Sequence, residues 1–432
     1  MTKPSSTEPE RSRVLQPSEN QQPPQGQENT VFPIVGIGAS AGGLEAFSQL
    51  LEHLPKHPGL AFVLVQHLTP KQESRLVDIL TKATTMPVVE AANGLAVRPD
   101  HVYVIPPNTT LSIKEGILHL EPRGEGRGPH LPVDFFFKTL AADRQSGAIG
   151  VILSGTGSDG TLGLEEIKAA GGITLAQDEQ TARYDGMPLS AIRSGCVDAV
   201  LSPEGLAHEL TRIGKHPYVQ PAPPAKQELQ GEEEDDFKKI LGQLRATFGV
   251  DFNAYRDTTL RRRIMRRMVL HHKEDLNEYF QLLTQDRAEL DALYEDILIN
   301  VTSFFREPEA FEALKQVVFP EILKGKTPDT PIRLWVPGCS TGQEAYSLAI
   351  ALLEFLDEKK VRLPIQIFAT DLSDNVSLQK AREGVYPENI EAEVSPERLR
   401  RFFSKEDAKY RINKLIRDLC VFAKQNVAAD PP

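Results

Sequence analysis

The sequence predicts an α/β protein in which a doubly wound parallel-sheet domain is followed by an all-helical stretch and a second parallel-sheet unit. Three observations carry the prediction. Short apolar runs alternate with helix-period runs, the pattern of βαβ units. Glycine-rich turns directly follow three strand-like runs, at 36–43, 155–160 and 338–342. A proline-rich and then acidic segment, 215–236, reads as an interdomain linker. At roughly 100–200 residues per domain, the 432 residues and 40% apolar composition leave room for two or three domains.

Residues 1–30 are rich in Pro, Gln, Ser and Glu and predict a disordered tail without the apolar core of a signal peptide. The first domain, 31–214, opens with a strand over Phe32–Ile37 and a helix over Leu44–Leu54. Further strands are predicted over Ala61–Val65, Val102–Ile105, Ala148–Leu153 and Cys196–Leu201, with helices over Arg75–Thr81, Pro132–Arg144 and Leu162–Ala170. Reactive groups of such sheets gather beyond the carboxyl ends of the strands. Ser40, His67 and Asp159 fall there.

Ser40 stands in Val35-Gly36-Ile37-Gly38-Ala39-Ser40-Ala41-Gly42-Gly43. A tight strand-to-helix turn among such small neighbours raises a serine and aims the first helical N–H groups at an oxyanion. The run also approximates a dinucleotide fingerprint, so a phosphate cradle is the competing reading. The next strand discriminates: a dinucleotide fold expects an acid at its end, whereas Ala61–Val65 ends in Gln66-His67. Asp159, in Ser154-Gly155-Thr156-Gly157-Ser158-Asp159-Gly160, is by itself equally a helix cap. Together the three residues supply a nucleophile, a base and an acid that fixes the imidazole tautomer. Their order along the chain differs from the Ser, acid, His order of ordinary α/β-hydrolases.

The stretch 237–318 has a helical pattern, and its basic run 255–268 carries six arginines, Arg256, Arg261, Arg262, Arg263, Arg266 and Arg267. A net charge of −11 and the absence of interleaved aromatics argue against nucleic acid, and the run suggests attraction to a glutamate-rich protein helix. Next, a strand over Pro331–Val336 runs into Pro337-Gly338-Cys339-Ser340-Thr341-Gly342-Gln343-Glu344 and a helix over Ala345–Leu356. The following strand, Ile365–Thr370, ends in Asp371, where a carboxylate bonds ribose hydroxyls in a Rossmann-like nucleoside site. Cys196, Cys339 and Cys420 form no CxxC pair, so neither a disulfide framework nor a metal site is expected, and a reducing cytoplasm is. No run approaches 18 apolar residues, so no membrane insertion is expected.

The first domain resembles the catalytic domain of the CheB-type chemotaxis methylesterases. The resemblance rests on Gly38-Ala39-Ser40-Ala41-Gly42-Gly43, Gln66-His67, Ile105-Pro106-Pro107, Ser154-Gly155-Thr156-Gly157-Ser158-Asp159-Gly160 and Gly186-Met187-Pro188, and spans about 32–213. It implies hydrolysis of glutamyl methyl esters on chemoreceptors, often with deamidation of receptor glutamines, by a triad of Ser40, His67 and Asp159. Ala41 replaces a common Thr and Thr156 a common Met, changes expected to tune the rate. Family members usually begin with a phosphorylatable receiver domain, which the residues before Phe32 are not expected to form.

The second half resembles the CheR-type receptor methyltransferases. It shares the arginine-rich helix, Asn300-Val301-Thr302-Ser303-Phe304-Phe305-Arg306, Gly338-Cys339-Ser340-Thr341-Gly342, Ala369-Thr370-Asp371, Ala381-Arg382-x-Gly384-x-Tyr386 and Asn426-Val427. The resemblance implies methyl transfer from S-adenosylmethionine, held by Asn300, Thr302, Arg306, Glu344, Asp371, Asn426 and Val427, with Gln343 in place of a usual glutamate. It divides this half into a helical subdomain, 237–318, and a cofactor-binding domain, 319–432. The latter is expected to lack its last strands, because family members continue past the Asp-Pro-Pro at which this sequence stops. The expectation is a cytoplasmic methylesterase–methyltransferase fusion acting on the glutamate-bearing helices of methyl-accepting receptors, with no cofactor in the esterase half. The competing readings are an esterase-only protein with a methyltransferase remnant, a small-molecule serine esterase, and a non-catalytic receptor-binding scaffold.

Overall fold

Strands that read as unbroken apolar runs need cover on both faces. In the computed structural model, which describes residues 32–67, 75–123, 131–219, 231–298, 301–327, 329–373, 377–407 and 409–431, they receive it. The first strands are β1 (Ile34–Ala39), β2 (Ala61–Gln66), β3 (Val88–Glu90), β4 (Leu95–Ala96) and β5 (Val102–Val104). They are followed by β6 (Thr109–Lys114), β7 (Ile117–Pro122), β8 (Ala148–Ile152), β9 (Ile173–Gln177) and β10 (Ala199–Leu201). Seven of these form a sheet of order β10-β9-β8-β1-β2-β5-β3 in which every pairing is parallel. The antiparallel set β4-β7-β6, which the sequence reading did not predict, stands apart.

Alternate residues of β2 feed two cores. Phe62 and Leu64 pack with α1 (Gly43–Glu52), α2 (Leu76–Ala83) and α6 (Pro203–Ile213). Ala61, Val63 and Val65 pack with α3 (Pro132–Arg144), α4 (Thr161–Ala169) and α5 (Gly186–Ser194) on the other face. The predicted doubly wound sheet is therefore present, with β9, α5 and α6 added to it.

The helical part comprises α7 (Glu232–Phe248), α8 (Asp257–Leu270), α9 (Leu276–Gln285) and α10 (Arg287–Leu298), around Ile240, Leu244, Leu260, Ile264 and Leu293. Its first helix starts inside the acidic run assigned to the linker, where carboxylates face the positive helix end. At the other end of that segment, Tyr218 and Val219 are buried in the first core. The tail 1–30 and positions 220–230 lie outside the described residues.

The remaining helices are α11 (Pro308–Ala313), α12 (Phe319–Leu323), α13 (Gln343–Lys359), α14 (Ser377–Glu383), α15 (Pro396–Phe402) and α16 (Lys414–Arg417). With them come β11 (Ile332–Pro337), β12 (Ile365–Asp371), β13 (Val385–Pro387), β14 (Phe403–Glu406), β15 (Lys409–Ile412) and β16 (Cys420–Lys424). Strands β11, β12 and β16 pair in parallel, and β13-β15-β14 form a small antiparallel sheet.

The arginine-rich run departs from expectation. Instead of offering its charge to an acidic partner, α8 packs its central arginines against the first domain, leaving Arg263 and Arg266 1% and 0% exposed. Arg263 donates to the carbonyl of Lys168 (2.7 Å) and to that of Ala169, at the negative end of α4. Arg266 donates through Nε to the Gly172 carbonyl (2.8 Å) and through its other nitrogens to Asp198 and Asp296. Burial alone would raise the Asp198 carboxyl, but Arg266 and Lys168 hold it down at about 2. A second contact joins α14 to the same domain, where Lys380 donates to the Ser194 carbonyl (3.0 Å). There the half-buried Glu165 of α4 is pushed up to about 7 by burial, against the pull of Lys380 and Lys138 and with the push of Glu393 and Glu166.

Removing the guanidinium takes the paired cation from buried Asp296 and leaves buried Asp198 with Lys168 alone. Arg266→Met is expected to lower the unfolding free energy by about 3–5 kcal/mol in denaturant titration, and Arg266→Met combined with Asp198→Asn and Asp296→Asn to recover most of it. For Glu165, a raised carboxyl contributes stability that is complete below the ordinary value of 4.5 and is lost as pH rises through about 7. The denaturation midpoint should thus fall between pH 5 and pH 8, and Glu165→Gln should flatten that fall.

Candidate active site

β1 ends at the buried Ala39, and the chain turns through Ser40, Ala41 and Gly42 into α1. The Ser40 N–H donates to the Ser154 carbonyl (3.1 Å), tying this turn to the one after the neighbouring β8. Ser154 Oγ donates to the Ala41 carbonyl (2.9 Å) and accepts the Tyr184 N–H (3.0 Å). Only glycine fits at Gly155, because an added Cβ would stand 3.0 Å from Ser40 Cβ and 2.2 Å from Met187 Sδ. Gln66 Nε2 donates to the Ser40 carbonyl (3.1 Å), and the Ala39–Gln66 register sets His67 beside Ser40.

The structure brings the three candidates together. Ser40 Oγ lies 3.5 Å from His67 Nδ1, and His67 Nε2 lies 2.8 Å from Asp159 Oδ2. The first distance is long, as such bonds commonly are before substrate tightens them. Asp159 is 2% exposed and accepts two further bonds, from the N–H groups of Val133 (3.1 Å) and Asp134 (2.9 Å) at the positive end of α3. It therefore does not cap its own following helix, α4, whose N-cap is Gly160. A carboxylate so placed holds the imidazole proton on Nε2 and leaves Nδ1 to take a proton from Ser40. The two ring nitrogens exchange the roles they have in chymotrypsin-type triads.

Asp134 is a participant that the sequence reading did not single out. Its Oδ1 accepts the Gly163 N–H (2.7 Å), and burial followed by the Asp159 charge pushes its carboxyl well up. The line of three candidates opens on a cleft of about 280 Å³ lined by Gln66, His67, Ile105, Asn108, Arg123 and Pro132.

In the second half, the turns after β11, β12 and β16 meet at the carboxyl ends of adjacent parallel strands. Asp371 Oδ2 accepts the Ser340 N–H (2.8 Å) and its Oδ1 that of Ser373 (3.0 Å), which aims the acid at the glycine turn. Each oxygen keeps a lone pair for a hydroxyl. The turn is open at Gly338, where an added Cβ would meet nothing within 4 Å, so the residues present fit a nucleoside cofactor. Glu344 is exposed in the first turn of α13. Asn426 and Val427 follow β16, whose Lys424 is in register with Asp371.

The Phe305 N–H donates to Ser347 Oγ (3.0 Å), which brings the segment of Thr302 and Arg306 to the start of α13. Asn300 lies outside the described residues. Tyr255, which the sequence reading did not select, has its phenol pushed up by burial and then by the Asp371 charge.

Three family models match the chain: CheB methylesterase over 35–210, the CheR methyltransferase all-alpha domain over 235–298, and the CheR methyltransferase SAM binding domain over 300–432. A Leptospira interrogans protein provisionally named protein-glutamate methylesterase/protein-glutamine glutaminase is 36% identical over 190 residues, which cover 44% of this chain and 98% of that protein. The chain belongs to the CheB methylesterase family. An uncharacterized 104.1 kDa protein of Rhodobacter capsulatus is 36% identical over 386 residues, 83% of this chain, and the match spans 39% of its length. A protein-glutamate methylesterase/protein-glutamine glutaminase of Syntrophus aciditrophicus is 32% identical over 198 residues, covering 46% of this chain and 57% of its own. The crystal structure of the Thermotoga maritima CheB methylesterase catalytic domain aligns at 32% identity over 42% of this chain and 99% of its own, with a TM-score of 0.40. This CheB family member carries both CheR domains behind its esterase domain. Among the described residues no helix is long and apolar enough to cross a membrane.

The hydrogen bonds around Asp159 separate two substitutions. Ser40→Ala is expected to reduce ester hydrolysis by at least ~10⁴-fold and leave the denaturation midpoint unchanged. Asp159→Asn should cost a similar factor through the wrong imidazole tautomer, and also ~1–3 kcal/mol of stability, because its amide faces the N–H groups of α3.

Proposed function

We propose that the chain removes methyl groups from glutamyl methyl esters of chemotaxis receptors at Ser40 and, in its second half, methylates receptor glutamates with S-adenosylmethionine. The observation that carries the esterase reading is the Ser40, His67 and Asp159 line, at 3.5 and 2.8 Å, on the edge of a cleft. Ser40 Oγ attacks the ester carbonyl while His67 Nδ1 takes its proton. The tetrahedral oxyanion is met by the Ala41 and Gly42 N–H groups at the start of α1, which have no protein acceptor among the described residues. His67 returns the proton to the departing methoxide, and methanol leaves. Water, deprotonated by His67, then cleaves the acyl-enzyme to free the glutamate. A receptor glutamine would follow the same path and release ammonia.

S-adenosylmethionine supplies an electrophilic methyl group, so this half needs no protein nucleophile. Asn300, Thr302, Arg306, Glu344, Asp371, Asn426 and Val427 would hold it, with Asp371 directed at the ribose. The partners are the glutamate-bearing helices of receptors in the cytoplasm. Arg263 and Arg266 are occupied within the chain, so the receptor is not read by them.

With receptor carrying labelled methyl esters, wild type is expected to release labelled methanol and Ser40→Ala none. With labelled cofactor, unmethylated receptor should gain label in a manner lost in Asp371→Ala. Receptor binding without release or gain would make the chain a scaffold. Turnover of simple acyl esters alone would make it a small-molecule esterase.

A further inference from the structure

Two helices of the esterase domain begin at the catalytic turns and end on the methyltransferase half. Helix α4 starts directly behind Asp159, and its last carbonyls accept Arg263 of α8. Helix α5 starts beside Ser40: the Met187 N–H donates to the Gly155 carbonyl (2.9 Å), and Gly155 is the residue pressed between Met187 Sδ and Ser40. It ends at Ser194, whose carbonyl accepts Lys380 Nζ at 3.0 Å. Each is nine residues long, and a cation at its carboxyl end complements the helix dipole.

Lys380 is in turn fixed by the other site. Its neighbour Ala381 packs against the glycine turn so closely that a Cβ on Gly342 would stand 2.9 Å from Ala381 Cβ. The Ala381 carbonyl accepts the Tyr346 hydroxyl (2.6 Å), and Tyr386 donates its hydroxyl to the Thr341 carbonyl (2.8 Å). The turn therefore cannot shift without moving α14. On the esterase side Lys380 donates to the Ser194 carbonyl, and its charge pulls against the upward push of burial on Glu165. A continuous path runs from the Gly342 turn through Ala381, Lys380, α5 and Gly155 to Ser40, made of close packing, hydrogen bonds and the backbone of α14 and α5.

We propose that Lys380 is a positioning residue for the esterase centre, and that through it occupancy of the Gly342 turn and the geometry of Ser40 are thermodynamically linked. The inference rests on the reading of that turn as the S-adenosylmethionine site. Linkage of binding is reciprocal, so blocking one site must change affinity at the other by one shared factor, about 5–150-fold in typical cases.

The test titrates S-adenosylhomocysteine calorimetrically into the full chain, free and with Ser40 blocked by a fluorophosphonate. The expected result is a dissociation constant that differs at least about fivefold between the two forms, with the difference gone in Lys380→Met and kept in Lys380→Arg. Equal constants in the two wild-type forms, with block and binding both complete, overturn the linkage while leaving both sites in place. A persisting difference in Lys380→Met overturns the assignment to Lys380. Failure of S-adenosylhomocysteine to bind overturns the cofactor reading and the linkage with it. A second readout needs no cofactor: Lys380→Met should lower kcat for a simple acyl ester with KM unchanged, and Lys380→Arg should restore it. Unchanged kcat removes Lys380 as a positioning residue.

Discussion

The carboxylate of Asp159 is the constraint on which the esterase centre depends. It is nearly dry, and it accepts three hydrogen bonds from three directions: His67 at the end of β2, and the Val133 and Asp134 N–H groups at the start of α3. Those donors keep a buried charge affordable and leave it a single way to orient the imidazole. The β8–α4 turn that carries Asp159 also supplies the Ser154 carbonyl that holds the Ser40 N–H. The proposed nucleophile, base and acid are thus set by hydrogen bonds among strand ends, and the small residues around them are there because the turns touch.

A second buried charge organises the chain on a larger scale. Arg266 takes Asp198 from the esterase domain and Asp296 from its own helical part, and the Gly172 carbonyl completes its shell. Two carboxylates and a guanidinium without access to water tolerate little sliding, since any lost contact strands a charge in low dielectric. Apolar packing follows the same line, with Val269 of α8 buried in the esterase core. The CheB and CheR domains are therefore carried on one joined body and not on two beads of a flexible string.

Much of this was legible in the sequence. Ser40 and His67 follow apolar runs that end in small or polar residues, and Asp159 closes a glycine turn after Ala148–Ile152, so the strand-end rule finds all three. Asp134 was not legible, because it reaches the site across 25 positions and looks locally like a first-turn helix acid. The destination of the arginines was equally hidden. A charge run has the same pattern whether solvated or buried, and Asp198 lies 68 positions from Arg266. The β6–β7 hairpin had a readable sign, Glu115-Gly116 with both φ positive between alternating strands, but its strands are half exposed. In the second half, glycine turn and strand-end acid were readable, whereas the influence of the Asp371 charge on Tyr255 depends on how the helical part folds back.

The central claim is that His67, oriented by Asp159, activates Ser40. It is tested most directly by reacting the full chain with a fluorophosphonate and mapping the adduct by peptide mass spectrometry. The account predicts one adduct, on the peptide bearing Ser40, formed far more slowly in His67→Ala. An adduct on another residue, or undiminished labelling of Ser40 in His67→Ala, would contradict it.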